Sequence, residues 1–396
     1  MNLYYFNPDN EMAIAHGGVG YMPPANIVRM ARDLGYLPAY LAEKEDCILM
    51  EEMPDTLFLN ERRELLGMTT RVITLKEAKG VHFGAPRPWG WSPRVHGLLK
   101  EIPFDEGPPG AWTLDKKELY SRATARALLA RMRGELGLPD IIFPRVAESV
   151  EGVMARAREQ AIVIKAPWSS SGKGVLMPKG REMDRKETER LSGVLREQGY
   201  VMVENRLNKV IDFAMEFWME GAGDIRYMGL STFFTGERGD YRGNYVAPQA
   251  RVERAITRYT GEVPLQAVRV AVTRALRELL GARYRGPLGV DMMLYRDEEG
   301  VCRVHPCVEI NLRYNMGIVA LFLYERYLSP GSEGIFRICY SPRAGEAYRI
   351  CRARAEEAPF RGEAGRILSG YLPLTPVNEA TRFVAEITCH ETIEGE

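Results

Sequence analysis

Lysine is scarce in this chain of 396 residues. Of 53 basic residues only 11 are Lys, none of them after Lys209, and the rest are Arg. The first reading of this is a compositional preference for Arg. Net charge is also missing, because 53 Asp and Glu offset the bases. A general nucleic-acid binder needs a basic surface, so a balance of zero argues against that class. No apolar run approaches the ~18 residues that a membrane-spanning helix needs. The opening stretch MNLYYFNPDNE turns acidic at once and lacks the basic-then-apolar pattern of a secretory signal. Cysteines are few and scattered: Cys47, Cys302, Cys307, Cys339, Cys351 and Cys389 form no CxxC pair. They do not make a disulfide framework, and a reduced, cytoplasmic setting fits them best. No internal repeat or low-complexity tract is present. What remains, 45% apolar and 27% charged residues, is the composition of a folded soluble protein with length for two or three domains.

Strands alternate with helices over residues 1–110, which predicts a small α/β domain with a parallel sheet. An apolar strand opens it at residues 3–6. A turn at 7–10 follows, then a helix over 25–34 stopped by Gly35, and short strands at 56–59 and 71–75. The stretch DEGPPG (105–110) reads as a linker. Beyond it, Asp115 with Glu118 predicts a capped helix running to Leu136, and Ser149 caps another. Strands are expected at 161–166, 200–204, 213–219, 289–295 and 301–311, with a turn at 297–300 that makes the last two a hairpin. Residues 231–246 read as a long loop or hairpin, and 343–366 as a solvated helical face. The domains expected are therefore 1–110, 111–205, 206–330 and a C-terminal extension, 331–396, packed on the core formed by the middle two.

Chemistry concentrates in three places. Lys165 ends the run Ala161-Ile162-Val163-Ile164, and an ammonium there needs an anionic partner, since burying it alone costs several kcal/mol. Four residues later comes Ser169-Ser170-Ser171-Gly172-Lys173-Gly174, whose small residues, hydroxyls and amides suit a phosphate. It is not a P-loop, because Gly174 stands where Ser or Thr is required. In the hairpin, Glu309 and Asn311 point to one face, with Asp291 on the partner strand among apolar residues. Three such oxygens suit Mg²⁺, which takes one or two carboxylates beside phosphate oxygens and waters. Arg313, two residues on, can grip a phosphate or carboxylate with two parallel hydrogen bonds. Between these elements lies the strand Val201-Met202-Val203-Glu204-Asn205, whose end offers a planar base its backbone and a ribose Glu204 or Asp212.

Taken in order, Lys165, SSSGKG (169–174), VMVENRL (201–207), Asp212, GVDMML (289–294) and VEINLR (308–313) resemble the ATP-grasp superfamily over about residues 115–330. The fold class this implies is α/β and α+β: an ATP-grasp fold preceded by a small pre-ATP-grasp-like α/β domain. The resemblance implies ATP and Mg²⁺ as cofactors, with Mn²⁺ the other candidate metal. It places Lys165 on the α- and β-phosphates, Ser169, Ser170, Ser171, Gly172, Lys173 and Gly174 as a lid, and adenine at the 203–206 hinge, including Glu204 and Asn205. Asp212 would lie near the ribose, Asp291, Glu309 and Asn311 would hold metal, and Arg313 would contact the transferring phosphoryl group. The family also carries an earlier Lys, for which Lys116 and Lys117 both stand open. The implied reaction is an ADP-forming ligation, in which a carboxylate is activated as an acyl phosphate and then attacked by an amine or thiol. Two alternatives remain: a phosphotransferase on the same scaffold, and a nucleotide-binding regulatory protein without turnover.

Two departures stand out. The spacing from Asp291 to Glu309 is long, which predicts a bulge or a longer turn around His305-Pro306. Gly289 and Val290 occupy positions where many amide-forming members place an Arg. Expected substrate contacts are Arg226, Tyr241, Arg242 and Asn244 in the loops around 226–250, Asn315, and His16 in the first βα turn, where ligands of open α/β sheets gather. The partners expected are small-molecule or peptide carboxylates and amines, with neither nucleic acid nor membrane.

Overall fold

The structure, a computed structural model of the chain, describes residues 1–392 apart from 110–111, 170–173, 179, 181, 222, 237–238 and 261, with backbone only at 262 and 263. The chain divides into two compact units. The first comprises 1–111, 242–252 and 314–396, and the second 112–241 and 253–313.

The first unit opens with a parallel sheet in the order Arg71–Ile73, Cys47–Leu49, Leu3–Tyr5, Pro86–Pro88. Apolar side chains such as Leu3, Leu49, Ile73, Phe83 and Val95 form its core. The strand expected at 56–59 is instead the start of a helix, Thr56–Leu66. Asp55 caps it by accepting from the Leu57 amide at 2.9 Å, and Gly67 closes it in the left-handed region at φ 64°. Phe58, Arg62 and Leu66 repeat every fourth residue on the buried face. That helical period is invisible in a four-residue window.

Residues 314–396 also belong to the first unit. Strands Ser332–Tyr340, Phe383–Glu391 and Arg366–Pro373 pair antiparallel, with helix Glu346–Glu357 packed on them through Ala347 and Cys351. The extension expected to pack on the core of 111–330 thus groups with the N-terminal segment. Buried polar groups explain the attachment, since each must find a partner. The Tyr40 hydroxyl donates to the Leu374 carbonyl at 2.9 Å, Arg62 Nη1 donates to the Pro373 carbonyl at 2.9 Å, and Asp33 accepts from the Arg382 amide at 2.8 Å.

The second unit holds two antiparallel sheets. One has the order Arg145–Ala147, Val201–Asn205, Ile162–Lys165, Val175–Leu176. Helices Val150–Glu159, capped by Ser149, and Arg185–Gln198, opened by an Asp184/Glu187 capping box, cover it. The other includes Cys302–Asn311, Gly286–Arg296, Asn208–Gly221 and Asp224–Thr235 in that order. The stretch 231–246 therefore contributes to two strands, Asp224–Thr235 and Tyr241–Val246. The helix expected from Asp115 to Leu136 is broken in two. Thr113, not Asp115, caps Leu114–Leu119, and a second helix, Ala123–Leu136, begins after Arg122. Among the described residues no helix is long and apolar enough to cross a membrane.

Candidate active site

Lys165 closes a strand whose four residues are all buried, and it is itself only 8% exposed. Its partner comes from the adjacent antiparallel strand. Val163 lies opposite Glu204, so Glu204 and Lys165 share a face, and Nζ sits 2.7 Å from Oε2. The loop after Lys165 is tied at its base by the Ala166 amide, which donates to the Gly174 carbonyl at 2.9 Å. A Cβ on Gly174 would fall 1.9 Å from the Ser169 hydroxyl and 2.3 Å from its Cβ, so only glycine fits there. Ser170, Ser171, Gly172 and Lys173 lie outside the described residues.

Arg122 is the site residue that the sequence reading missed. It sits at the break between the two helices, 7% exposed. Its amide donates to the Pro167 carbonyl at 3.0 Å and its Nη1 to the Ala166 carbonyl at 2.7 Å, with a further bond to the Ser169 hydroxyl. Its Nη2 lies 2.9 Å from Glu309 Oε1 and 3.0 Å from Oε2. Its Nε is buried and has no hydrogen-bond partner among the described residues. The signal that could have found it is the composition itself. In a chain that uses Arg so widely in place of Lys, the earlier basic position is as readily an Arg. Lys116 and Lys117 are engaged differently. The Lys117 ammonium stands 4.5 Å over the Trp168 ring, whose Nε1 donates to the Lys117 carbonyl at 3.0 Å. Burial holds Lys116 below its ordinary pKa.

On the hairpin, Asp291 pairs with Glu309 and Gly289 with Asn311. The register then slips, and Met293 faces His305. Pro306, Cys307 and Val308 therefore oppose Met292 alone, which accounts for the long spacing. Asn311 Nδ2 donates to Asp291 Oδ2 at 3.0 Å, and Arg313 Nη2 donates to Asn311 Oδ1 at 2.8 Å. Burial, then the charges of Glu309 and Glu216, push the Asp291 carboxyl well above the usual carboxylate range. Glu216, 1% exposed, was not anticipated either, and it accepts from the Ser231 hydroxyl at 2.8 Å. The buried His305 ring is held down to about 3, first by desolvation and then by Lys165. The Cys307 thiol is pushed well up, first by burial and then by Asp291.

No family model matches the chain, and no curated protein matches it either. Solved structures do. A Staphylococcus aureus N5-carboxyaminoimidazole synthetase complexed with ADP superposes with a TM-score of 0.52 at 11% identity, over 99% of this chain and 93% of that one. A Campylobacter jejuni biotin carboxylase in complex with β,γ-ATP superposes with a TM-score of 0.51 at 12% identity, over 99% and 88%. The biotin carboxylase domain of a Hydrogenobacter thermophilus 2-oxoglutarate carboxylase, solved with MgADP and bicarbonate, gives 0.50 at 12%, over 99% and 86%. The chain has the ATP-grasp fold.

Within the ATP-grasp unit, Lys165 pairs with Glu204, and Ser169, Asp291, Glu309, Asn311 and Arg313 are linked through Arg122, by direct contacts and by strand register. The other expected residues are placed differently. Asn205 ties the end of its strand to neighbouring segments, accepting from Arg156 Nη2 at 3.4 Å and donating to the Ile141 carbonyl at 2.7 Å. Asp212 accepts from Lys209 Nζ at 2.5 Å and from the Thr235 hydroxyl at 2.7 Å. Arg226 is exposed, opposite Trp218, and Tyr241 is partly buried. His16, Arg242, Asn244 and Asn315 belong to the other unit. There His16 is exposed at the end of helix Asn10–His16, and Arg242 is exposed. Asn244 is buried opposite Phe336. Asn315 is a helix cap: its Oδ1 accepts from the Ile318 amide at 2.9 Å and opens Met316–Phe322.

The donor set fits a hard divalent cation. Among the described residues no group of three or more His, Cys, Asp and Glu side chains forms a metal cluster. Asp291 and Glu309 with the Asn311 amide supply two carboxylates and one neutral oxygen, as Mg²⁺ requires when phosphates and waters complete its shell. The half-buried, charge-crowded Asp291 carboxyl is the group that gains most from such an ion.

Proposed function

We propose that the protein is an ATP- and Mg²⁺-dependent ligase that activates a carboxylate as an acyl phosphate for attack by an amine or thiol, releasing ADP and phosphate. The observation that carries this reading is Arg122, which touches both the base of the Gly/Ser loop and the metal-side carboxylate Glu309. One guanidinium spanning these elements marks a single place for a polyphosphate and its counter-ion.

Phosphoryl transfer asks the protein mainly to position groups and offset charge. Lys165 supplies a point charge, and Glu204 holds its ammonium in place. Arg122, rather than Lys116 or Lys117, is the second phosphate cation. Asp291, Glu309 and Asn311 would hold the metal, which when bound would supply positive charge to offset that of the phosphates. Arg313 meets the transferring phosphoryl group or the substrate carboxylate. The carboxylate oxygen bonds to the γ-phosphorus as the bond to ADP breaks. The amine or thiol then bonds to the acyl carbon, phosphate leaves, and the nucleophile's proton passes to a base or to solvent. The Ser169–Gly174 loop keeps water from the acyl phosphate. The substrates are small carboxylates and amines or thiols, a class consistent with the carboxylases and the synthetase that share the fold.

The test is ADP release that requires Mg²⁺, a carboxylate and an acceptor together, screened over amino acids and other small carboxylates. Oxygen-18 from a labelled carboxylate should appear in the released phosphate. AMP and pyrophosphate as products would overturn the reading, and a phosphorylated end product formed without an acceptor would turn it into a kinase.

A further inference from the structure

We infer that the Arg122–Glu309 ion pair makes metal binding conditional on nucleotide, so that the nucleotide-free protein resists a divalent cation until a polyphosphate replaces Glu309 as the partner of Arg122 Nη2. This rests on the nucleotide reading of the same site.

Four observations carry it. First, a single nitrogen, Arg122 Nη2, faces both oxygens of Glu309, at 2.9 and 3.0 Å. Those are the oxygens a metal needs. Second, Arg122 is not a loose surface arm. Its amide, its Nη1 and its burial fix it to Pro167, Ala166 and Ser169, so it cannot step aside into solvent. Third, the other donors are engaged in the same sense. Asn311 turns its Nδ2 to Asp291, and its Oδ1 accepts from Arg313. A cation arriving alone would have to break these hydrogen bonds while facing two guanidinium groups in a poorly hydrated site, where like charges repel strongly. Fourth, Arg122 keeps a buried Nε with no acceptor among the described residues. Buried donors are rarely left unpaired, so this one is set for an anionic ligand. A triphosphate offers Arg122 and Arg313 oxygens that match their forked geometry, and accepting those bonds frees Glu309 and the Asn311 oxygen. Arg122 is thus a positioning residue for the metal as well as a phosphate contact.

The experiment is Mn²⁺ binding to the full chain, read by electron paramagnetic resonance of the free ion. Wild-type protein without nucleotide should bind Mn²⁺ weakly. Arg122→Met, which keeps the bulk and removes the charge, should bind it at least tenfold more tightly. Arg122→Lys should resemble wild type, and Arg122→Met/Glu309→Gln should lose the gain, which locates the ion. Unchanged Mn²⁺ affinity in a folded Arg122→Met would overturn the proposal. Wild-type protein that takes up Mn²⁺ equally well with and without a non-hydrolysable ATP analogue would overturn it independently of any variant. A separate titration with the analogue alone keeps the two ideas apart. No binding there defeats the nucleotide reading, while the nucleotide-free Mn²⁺ comparison still decides whether Arg122 guards Glu309.

Discussion

Arg122 and Glu309 are 187 residues apart in sequence and meet as a largely buried ion pair, Nη2 to Oε1 at 2.9 Å. Through Arg122 this pair joins the Gly/Ser loop base to the hairpin that carries Asp291 and Glu309.

The Lys165–Glu204 pair should show the asymmetry of buried charge. Lys165→Met removes the proposed phosphate contact and leaves Glu204 alone in a site where both side chains are about one-tenth exposed. The expected loss is about 3–5 kcal/mol in urea unfolding, together with loss of nucleotide binding. Lys165→Met/Glu204→Leu should recover most of the stability and none of the binding. A double variant as unstable as the single one would contradict the pairing.

Gly174→Ala should weaken nucleotide binding at least tenfold with little change in melting temperature, since the clash is confined to the loop base. The added methyl meets both the hydroxyl and the Cβ of Ser169. Combining it with Ser169→Ala should therefore give no rescue, whereas Ser169→Gly should give some. Calorimetric titration with an ATP analogue reads all three.

His305 gives a pH dependence with a defined sign. Folded, it stays neutral down to about 3, while the unfolded chain takes up the proton near 6.5. Stability present above pH 6.5 is therefore lost as pH falls, at up to ~1.4 kcal/mol per unit. His305→Gln should flatten the unfolding free energy between about pH 6.5 and 4.5. An unchanged slope there would show that the ring protonates freely in the folded state.

Asn315 was expected at a substrate, and the structure makes it a cap. Asn315→Ala should cost about 1 kcal/mol of stability, and Asn315→Asp should retain most of it. ATP-analogue affinity should not change in either variant. A fall in that affinity at equal stability would return Asn315 to the binding site.

Much of the site was legible because strand alternation and buried charge are local facts. The run ending at Lys165, the Glu309/Asn311 spacing and Asp291 among apolar residues each state a face or a need for a partner before any fold is known. An irregularity was legible from the long spacing between Asp291 and Glu309, as a bulge or a longer turn, and the strand register makes it a bulge. The helix at Thr56–Leu66 was not, because its i, i+4 face emerges only over its full length.

The sequence by itself determined the fold class, the strands that carry Lys165, Asp291, Glu309 and Asn311, and an Arg preference whose consequence was missed. Tertiary structure decided which groups meet. It chose Glu204 for Lys165, brought Arg122 rather than Lys116 or Lys117 to Ser169 and Glu309, and grouped 331–396 with the N-terminal segment. The reason is physical. Periodicity sets which way a side chain points, but the partner of a buried charge is whichever opposite group the packing brings within hydrogen-bond reach, and that distance is not written along the chain.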